Sequence, residues 1–302
     1  MEFFKLVKAS PHLTLLWLLS LVVTSFLLLP VAGLFPPAWS AERARLDGQG
    51  TGRIGCPYCR NDGSEISQLL QRADDLYADL KTKEALAELF KVLKLDPQNA
   101  EALSKIARAY VDIGDTVPES EPDWQEKRIK QYRSAEEYAR KAVQADPNLT
   151  WGHFYVAASL GKIAVLSPMP KQLDLSREVR TEVENAIAAD PQNGFAYHLY
   201  GIWHRKMAEI GQMRRVLANV VLWRSVPKGS LEKSVEYLTK AVLLNPQVIA
   251  HYLELGRTYI AMGQWQLARK ALNYARELPS EFSDDPLNKK EAGELLREIK
   301  DR

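Results

Sequence analysis

The sequence predicts an all-α fold, a solenoid of stacked helical hairpins with lengthened helices, preceded by one transmembrane or signal helix. Three observations carry this reading. A short acidic-or-amide–Pro punctuation recurs at Asp96-Pro97, Asp146-Pro147, Asp190-Pro191 and Asn245-Pro246, each closing a similar amphipathic ending: KVLKLDPQN, KAVQADPNL, NAIAADPQN, KAVLLNPQV. Small residues return at matching places between these marks. One uncharged run, Leu13 to Phe35, stands apart at the N-terminus. The 302 residues suffice for one large domain or two small ones. Forty Lys plus Arg against 38 Asp plus Glu leave no basic footprint for a nucleic acid.

Residues 1–35 come first. Lys5 and Lys8 precede LTLLWLLSLVVTSFLLLPVAGLF, a run of 23 residues without a charge. That length crosses a bilayer core as a helix, and it exceeds the roughly 7–15 apolar residues of a signal peptide. The segment reads as a signal-anchor or signal peptide that meets the membrane through residues 13–35. The lysines stay inside, so the rest of the chain lies on the extracytoplasmic side. In the alternative reading the chain is cleaved after Ser40, where Ala38 and Ser40 form a small-x-small site, and is secreted or periplasmic.

Residues 36–63 form a linker. It starts with Pro36-Pro37 and passes through GQGTGRIG, a flexible composition. Both cysteines lie here, in Cys56-Pro57-Tyr58-Cys59. These four residues match a glutaredoxin active site, but that fold places the first Cys at a helix N-terminus after a strand. The flanks GTGRIG and RNDGS offer neither. Arg60 stands where haem attachment needs His, and a zinc site needs two further soft ligands. The pair reads as a disulfide, Cys56–Cys59, or an idle pair in an exported linker. A thiol–disulfide redox protein is the distant alternative.

Residues 64–280 carry about five hairpins. Pro cannot continue a helix but sits well at its start, so each Pro divides one hairpin from the next. The last unit is the clearest. Counting from Ile249, the residues Tyr252, Leu255, Gly256, Tyr259, Ala268, Leu272, Ala275 and Pro279 fall on tetratricopeptide positions. Gly256 and Ala268 sit where the two helices of the hairpin cross, and Gly263 supplies the turn between them. Earlier sets repeat the scheme: Ala73, Ala85 and Pro97; Ala107, Ala135, Ala142 and Pro147; Ala157, Ala186 and Pro191; Gly201, Ala241 and Pro246. The four prolines are 50, 44 and 55 residues apart, against the usual spacing of about 34. The excess lies between the two helices of each hairpin, which predicts lengthened helices. Asp123 is positioned to cap one that begins at Trp124.

Residues 281–302 predict a capping helix. Asp285-Pro286 is a start signal, and Ala292, Leu295, Leu296 and Ile299 share one face. A solenoid needs such a cover for its last apolar surface.

Nothing in the chain reads as an enzyme, a cofactor site or a metal site. His153, His198, His204 and His251 never fall at the i, i+4 spacing of a helical zinc site, and there is no phosphate-binding GxxxxGK[ST] or nucleophile elbow.

The stretch from Trp151 to Arg302 resembles the C-terminal domain of the regulator of microtubule dynamics family. WGHFYVAASLGKIA, AIAADPQNGFAYHLYGIWH, VPKGSLEKSVEYLTKAVLLNP and YLELGRTYIAMGQWQLARKALNYARELPS carry the resemblance. It implies an all-helical, tetratricopeptide-like domain, an association with microtubules, and in one anchored member the tethering of membranes and binding of phospholipid.

The residues themselves predict where a ligand sits. In a tetratricopeptide stack, positions 2, 5, 9 and 12 of each first helix face the concave side. Those positions include Trp151, Phe154, Phe195, His198, Ile202, Arg205, Leu253 and Arg257. The stripe is apolar, with Arg205 and Arg257 expected near an anionic head group, and the insert MRRVLANVVLW is expected to roof it or touch a membrane. The chain therefore reads as a non-enzymatic, membrane-associated scaffold for a protein or peptide partner, with an apolar occupant, lipid or amphipathic helix, in its groove. The alternative is a lipid-binding or lipid-transfer protein that takes a phospholipid.

Overall fold

The computed structural model describes residues 64–210, 226–282 and 284–302. The apolar run 13–35, the Cys56–Cys59 linker and the insert MRRVLANVVLW lie outside them. Every regular element among the described residues is a helix. Glu65–Ala78 (α1) pairs with Thr82–Leu95 (α2). Ala100–Asp115 (α3) pairs with Trp124–Ala145 (α4). Thr150–Val165 (α5) pairs with Met169–Ala189 (α6). Gly194–Glu209 (α7) pairs with Leu231–Leu244 (α8), and Ile249–Ala261 (α9) with Trp265–Glu277 (α10). Asp285–Glu298 (α11) packs on α10 and α9. Each second helix also packs against the first helix of the next hairpin, which makes the array a solenoid.

The Asp-Pro marks have a local physical basis. Asp96, Asp146 and Asp190 leave their helices in extended backbone. Each side chain accepts a hydrogen bond from the N–H two residues on, at Gln98 (3.2 Å), Asn148 (2.9 Å) and Gln192 (2.8 Å). This Asx turn reverses the chain at the Pro. Asn99 and Asn193 then cap the following helices, accepting from the N–H groups of Ala102 and of Phe195 and Ala196. Asn193 also donates to Thr150 Oγ1 at 2.9 Å, and Thr150 donates to the Ala186 carbonyl at 2.9 Å. One buried chain of hydrogen bonds thus joins three helices at this corner.

The small residues set how closely helices cross. Ala107, Ala135, Ala142, Ala157, Ala186, Ala241, Ala268 and Ala275 are fully buried. At Gly256, an added Cβ would stand 2.6 Å from Leu272 on α10, so α9 and α10 meet through that pair. Gly263 has φ +70° and makes the α9–α10 turn. The core around α5 joins Ala107, Val156, Leu160, Val179, Val183 and Trp203.

The first two long spacings are used for long second helices, α4 with 22 residues and α6 with 21, whereas α8, in the longest spacing, has 14, so the lengthening expected of the fourth hairpin is not found in its second helix. Trp203 Nε1 donates to the Ser176 carbonyl at 2.7 Å, which ties the middle of α6 to α7. One expectation needs correcting. Asp123 makes no side-chain cap and takes φ 58°. The α3–α4 loop is held instead by Arg128, which donates twice to the Val117 carbonyl, and by Tyr132, whose hydroxyl donates to Asp115 at 2.6 Å.

Candidate functional site: the inner face of the first helices

Helices α3, α5, α7 and α9 stand side by side, in contact along the inner face of the stack. Where Pro ends one hairpin and a Leu–Thr or Asn step starts the next, the first turns of α5 and α7 bring aromatic side chains to this face. Trp151 lies 5.5 Å from Phe154 and 5.8 Å from Phe195, centroid to centroid. Phe154 and Phe195 are 6.4 Å apart at 69°. Tyr155 lies 5.0 Å from Phe154. These tilted and edge contacts are the arrangements aromatic rings favour. Trp151, Phe154, Phe195, His198 and Ile202 are all half-buried. A row of rings across two hairpins that still meets solvent is larger than a scatter of single apolar residues.

The structure thus brings Trp151, Phe154 and Phe195 together, with His198 one turn on. It separates the other expected residues from them. Leu253 is 2% exposed and belongs to the core, because α11 and α7 close over α9. Arg205 is 4% exposed. Its guanidinium engages Glu254 of α9 and, at 3.1 Å, Glu209. Arg257 engages Glu254 and Glu291 of α11. Burial works against a charge on Glu254, but the two arginines outweigh it and hold its carboxyl below the ordinary value. The same partners raise Arg257. A buried network of this kind neutralises its cations internally, so neither arginine is available to a head group as expected.

Sequence reasoning missed His251, Phe282, Asp112 and Asp284. His251 is fully buried, and its Nδ1 lies 3.1 Å from Nδ1 of His198. One ring must donate and the other accept, so the pair is neutral on that edge. Burial, reinforced for His251 by the neighbouring ring, pushes His198 down to about 4 and His251 well below its usual value. Phe195 packs 5.4 Å from His251. Phe282, from the connection between α10 and α11, packs 6.3 Å from Phe195. Asp112 of α3 has its carboxyl raised to about 7 by burial, then by Asp115 and by Asp284 from that same connection. An aromatic followed closely by carboxylates in EFSDD was the available signal, but it belonged to a segment read only as the lead-in to a capping helix.

His153 is a structural residue. It bridges Glu182 at 2.6 Å and the Pro147 carbonyl at 2.9 Å, and the Glu182 hydrogen bond raises it. Among the described residues no group of three or more His, Cys, Asp or Glu is placed to hold a metal ion, and no helix is long and apolar enough to cross a membrane.

Comparison with known proteins gives a consistent picture. The family described as regulator of microtubule dynamics protein 1-3 matches residues 69–300. Regulator of microtubule dynamics protein 1 of Bos taurus is 29% identical over 239 residues, covering 79% of this chain and 73% of the relative. Regulator of microtubule dynamics protein 3 of Rattus norvegicus is 24% identical over 239 residues, covering 76% of this chain and 48% of the relative. Among solved structures, a thermophilic TPR protein of Thermus thermophilus aligns with a TM-score of 0.54 at 17% identity, over 75% of this chain and 98% of that one. That last likeness concerns the fold alone.

Proposed function

The chain belongs to the regulator of microtubule dynamics protein 1-3 family, and from that premise we propose that it is a protein-binding scaffold whose inner face grips an apolar segment of a partner. The family is one of regulators on a tetratricopeptide-like helical frame, a frame suited to protein–protein interaction, and not a known enzyme family. The observation that carries the finer reading is the half-buried row Trp151, Phe154 and Phe195. Rigid aromatic anchors in a concave face are what peptide and helix grooves use. A polypeptide suits this row better than an anionic phospholipid, because Arg205 and Arg257 are already matched to Glu254, Glu209 and Glu291.

Panning a random 16-residue peptide library on the full chain, with counter-selection on a Phe154→Ser/Phe195→Ser chain, tests this. The proposal expects clones held by the first protein and released by the second. Clones that bind both equally would remove the inner face from the account. Organic extraction of the purified protein with mass spectrometry separates the other occupant, since phospholipid at one per chain would replace the peptide. The relatives are named for microtubule dynamics, so tubulin binding is tested as well, and a positive result would place the repeats on the cytoplasmic side, against the topology proposed below. Co-sedimentation of the full chain with taxol-stabilised microtubules is the direct measurement. We also propose that residues 1–35 hold the protein at a membrane with 64–280 and the helix in 281–302 on the extracytoplasmic side, joined by the 36–63 linker and its Cys56–Cys59 pair.

A further inference from the structure

Phe282 and Asp284 reach helices far from them in sequence. The Phe282 ring stacks edge-on against Phe195 of α7. Asp284 lies close enough to Asp112 of α3 for its charge to act there. The connection that carries them is fastened. The N–H groups of Glu281 and Phe282 donate to Asp285 Oδ2 at 2.7 and 2.8 Å, and Asp285 is 1% exposed.

The two ends of this contact differ in quality. At Phe195, ring meets ring. At Asp112, like charge acts on like charge: Asp115 on α3 and Asp284 from the connection both bear on its carboxyl. Lys162 of α5 acts on Asp112 from across the interface and is already paired with Asp115 at 2.6 Å, and Tyr155 of α5, on which both Asp112 and Arg108 act, is a further titratable neighbour. Asp112 Oδ2 is buried and has no hydrogen-bond partner. Buried acceptors in folded proteins are nearly always satisfied, and Asp112 Oδ2 is one acceptor without a donor. Asp284 offers the wrong charge there.

We propose that Phe282 is a resident occupant of the inner-face aromatic site, and that the segment displacing it pairs an aromatic side chain with a nearby Lys or Arg. The aromatic takes the place of Phe282 against Phe195, and the cation meets Asp112. Charge complementarity selects this partner: the Asp112–Asp115 wall repels an acidic segment, and the resident one is held by its ring and by hydrogen bonds to Asp285 and Asn288 within its own connection. The inference rests on the protein-binding reading above and adds the chemistry of the partner and the device it must displace.

The test is fluorescence anisotropy at pH 8 with a dye-labelled peptide copying residues 278–284, in which Lys replaces Asp284. Full chains are titrated into it, each checked for helicity by circular dichroism. Phe282→Ala is expected to bind at least tenfold tighter than the unaltered chain, because the site is vacated. Asp285→Ala, which frees the connection and keeps the ring, is expected to shift affinity the same way. Asp112→Asn is expected to erase the preference for the Lys-bearing peptide over the same peptide with Asp. Equal binding to the unaltered and Phe282→Ala chains would overturn the proposal while leaving the inner face a peptide site. Binding to no folded chain would reject this partner chemistry, and the library panning would still decide the wider reading. If both Phe282→Ala and Asp285→Ala unfold, the connection is a structural strut and the proposal fails.

Discussion

Asp112 shows at the scale of one residue how placement changes chemistry. Nothing in IARAYVDIGD marks this aspartate as different from its neighbours, yet burial and two nearby carboxylates raise it to about 7. An acid raised in the folded state binds its proton more tightly there than in the unfolded chain. Its contribution is therefore most favourable below about pH 4 and is lost as pH rises from there through about 7. His198 and His251 run the other way. Lowered in the folded state, they cost stability as pH falls below about 6.5. The two trends oppose each other between pH 4 and 6.5, and the effect of Asp112 stands alone near pH 8. Asp112→Asn is expected to raise the thermal midpoint at pH 8 by about 2–4 °C, roughly what 1 kcal/mol is worth in a domain of this size, and to change it little at pH 4. A midpoint that falls at pH 8 would mean the carboxylate is matched by a donor after all. Trp151, Phe154 and Phe195 were legible from helical spacing, because spacing fixes the face a side chain occupies. The neutralised state of Arg205 and the burial of Leu253 were not. Arg205 depends on what α9 brings to α7, and Leu253 on what α7 and α11 bring to α9, and the spacing within one helix carries no record of its neighbours.

At the scale of an element, the helix ends were legible because their chemistry is local. An Asp side chain bonding the N–H two residues on, a Pro that cannot continue a helix, and an Asn cap are all written within six residues. Asn193 does more than its local sequence tells, since it also joins α7 to Thr150 and through it to α6. Asn193→Ala is expected to cost about 1–3 kcal/mol, combining a lost cap with a buried hydroxyl left short of a partner. Asn99→Ala removes a cap whose other side-chain bond is local, to Asp96 at 3.1 Å, and is expected to cost only about 1 kcal/mol. Urea unfolding of the two variants measures the difference, and equal costs would remove the three-helix corner from the account. Gly256→Ala would place a methyl against Leu272. It is expected to lose about 1–3 kcal/mol through overpacking. The start of α4 was misread because Asp123 looks like a cap. A left-handed backbone aims it elsewhere, and Arg128 supplies the loop's hydrogen bonds from the helix side.

At the scale of the whole stack, the five hairpins and closing helix of the described residues place four first helices side by side, and the α10–α11 connection returns to them. Periodicity reveals a stack of this kind because each unit repeats the same packing problem. It does not reveal the return of Phe282 to Phe195, which joins parts of the chain 87 residues apart. The proposed arrangement at a membrane has its own check. Protease added to intact cells or spheroplasts is expected to digest the repeats, and full protection until lysis would reverse the topology. The central claim is that the aromatic row on the inner face is a surface for a partner and not a core. The most direct measurement compares the full chain with its Phe154→Ser/Phe195→Ser variant, by circular dichroism on heating and by binding of library-selected peptides. Half-buried rings contribute less than the roughly 3–5 kcal/mol of fully buried ones. The variant is therefore expected to keep its helicity, melt cooperatively a few degrees lower and bind no peptide. A variant that loses its helices, or one that folds and binds as before, would contradict the claim.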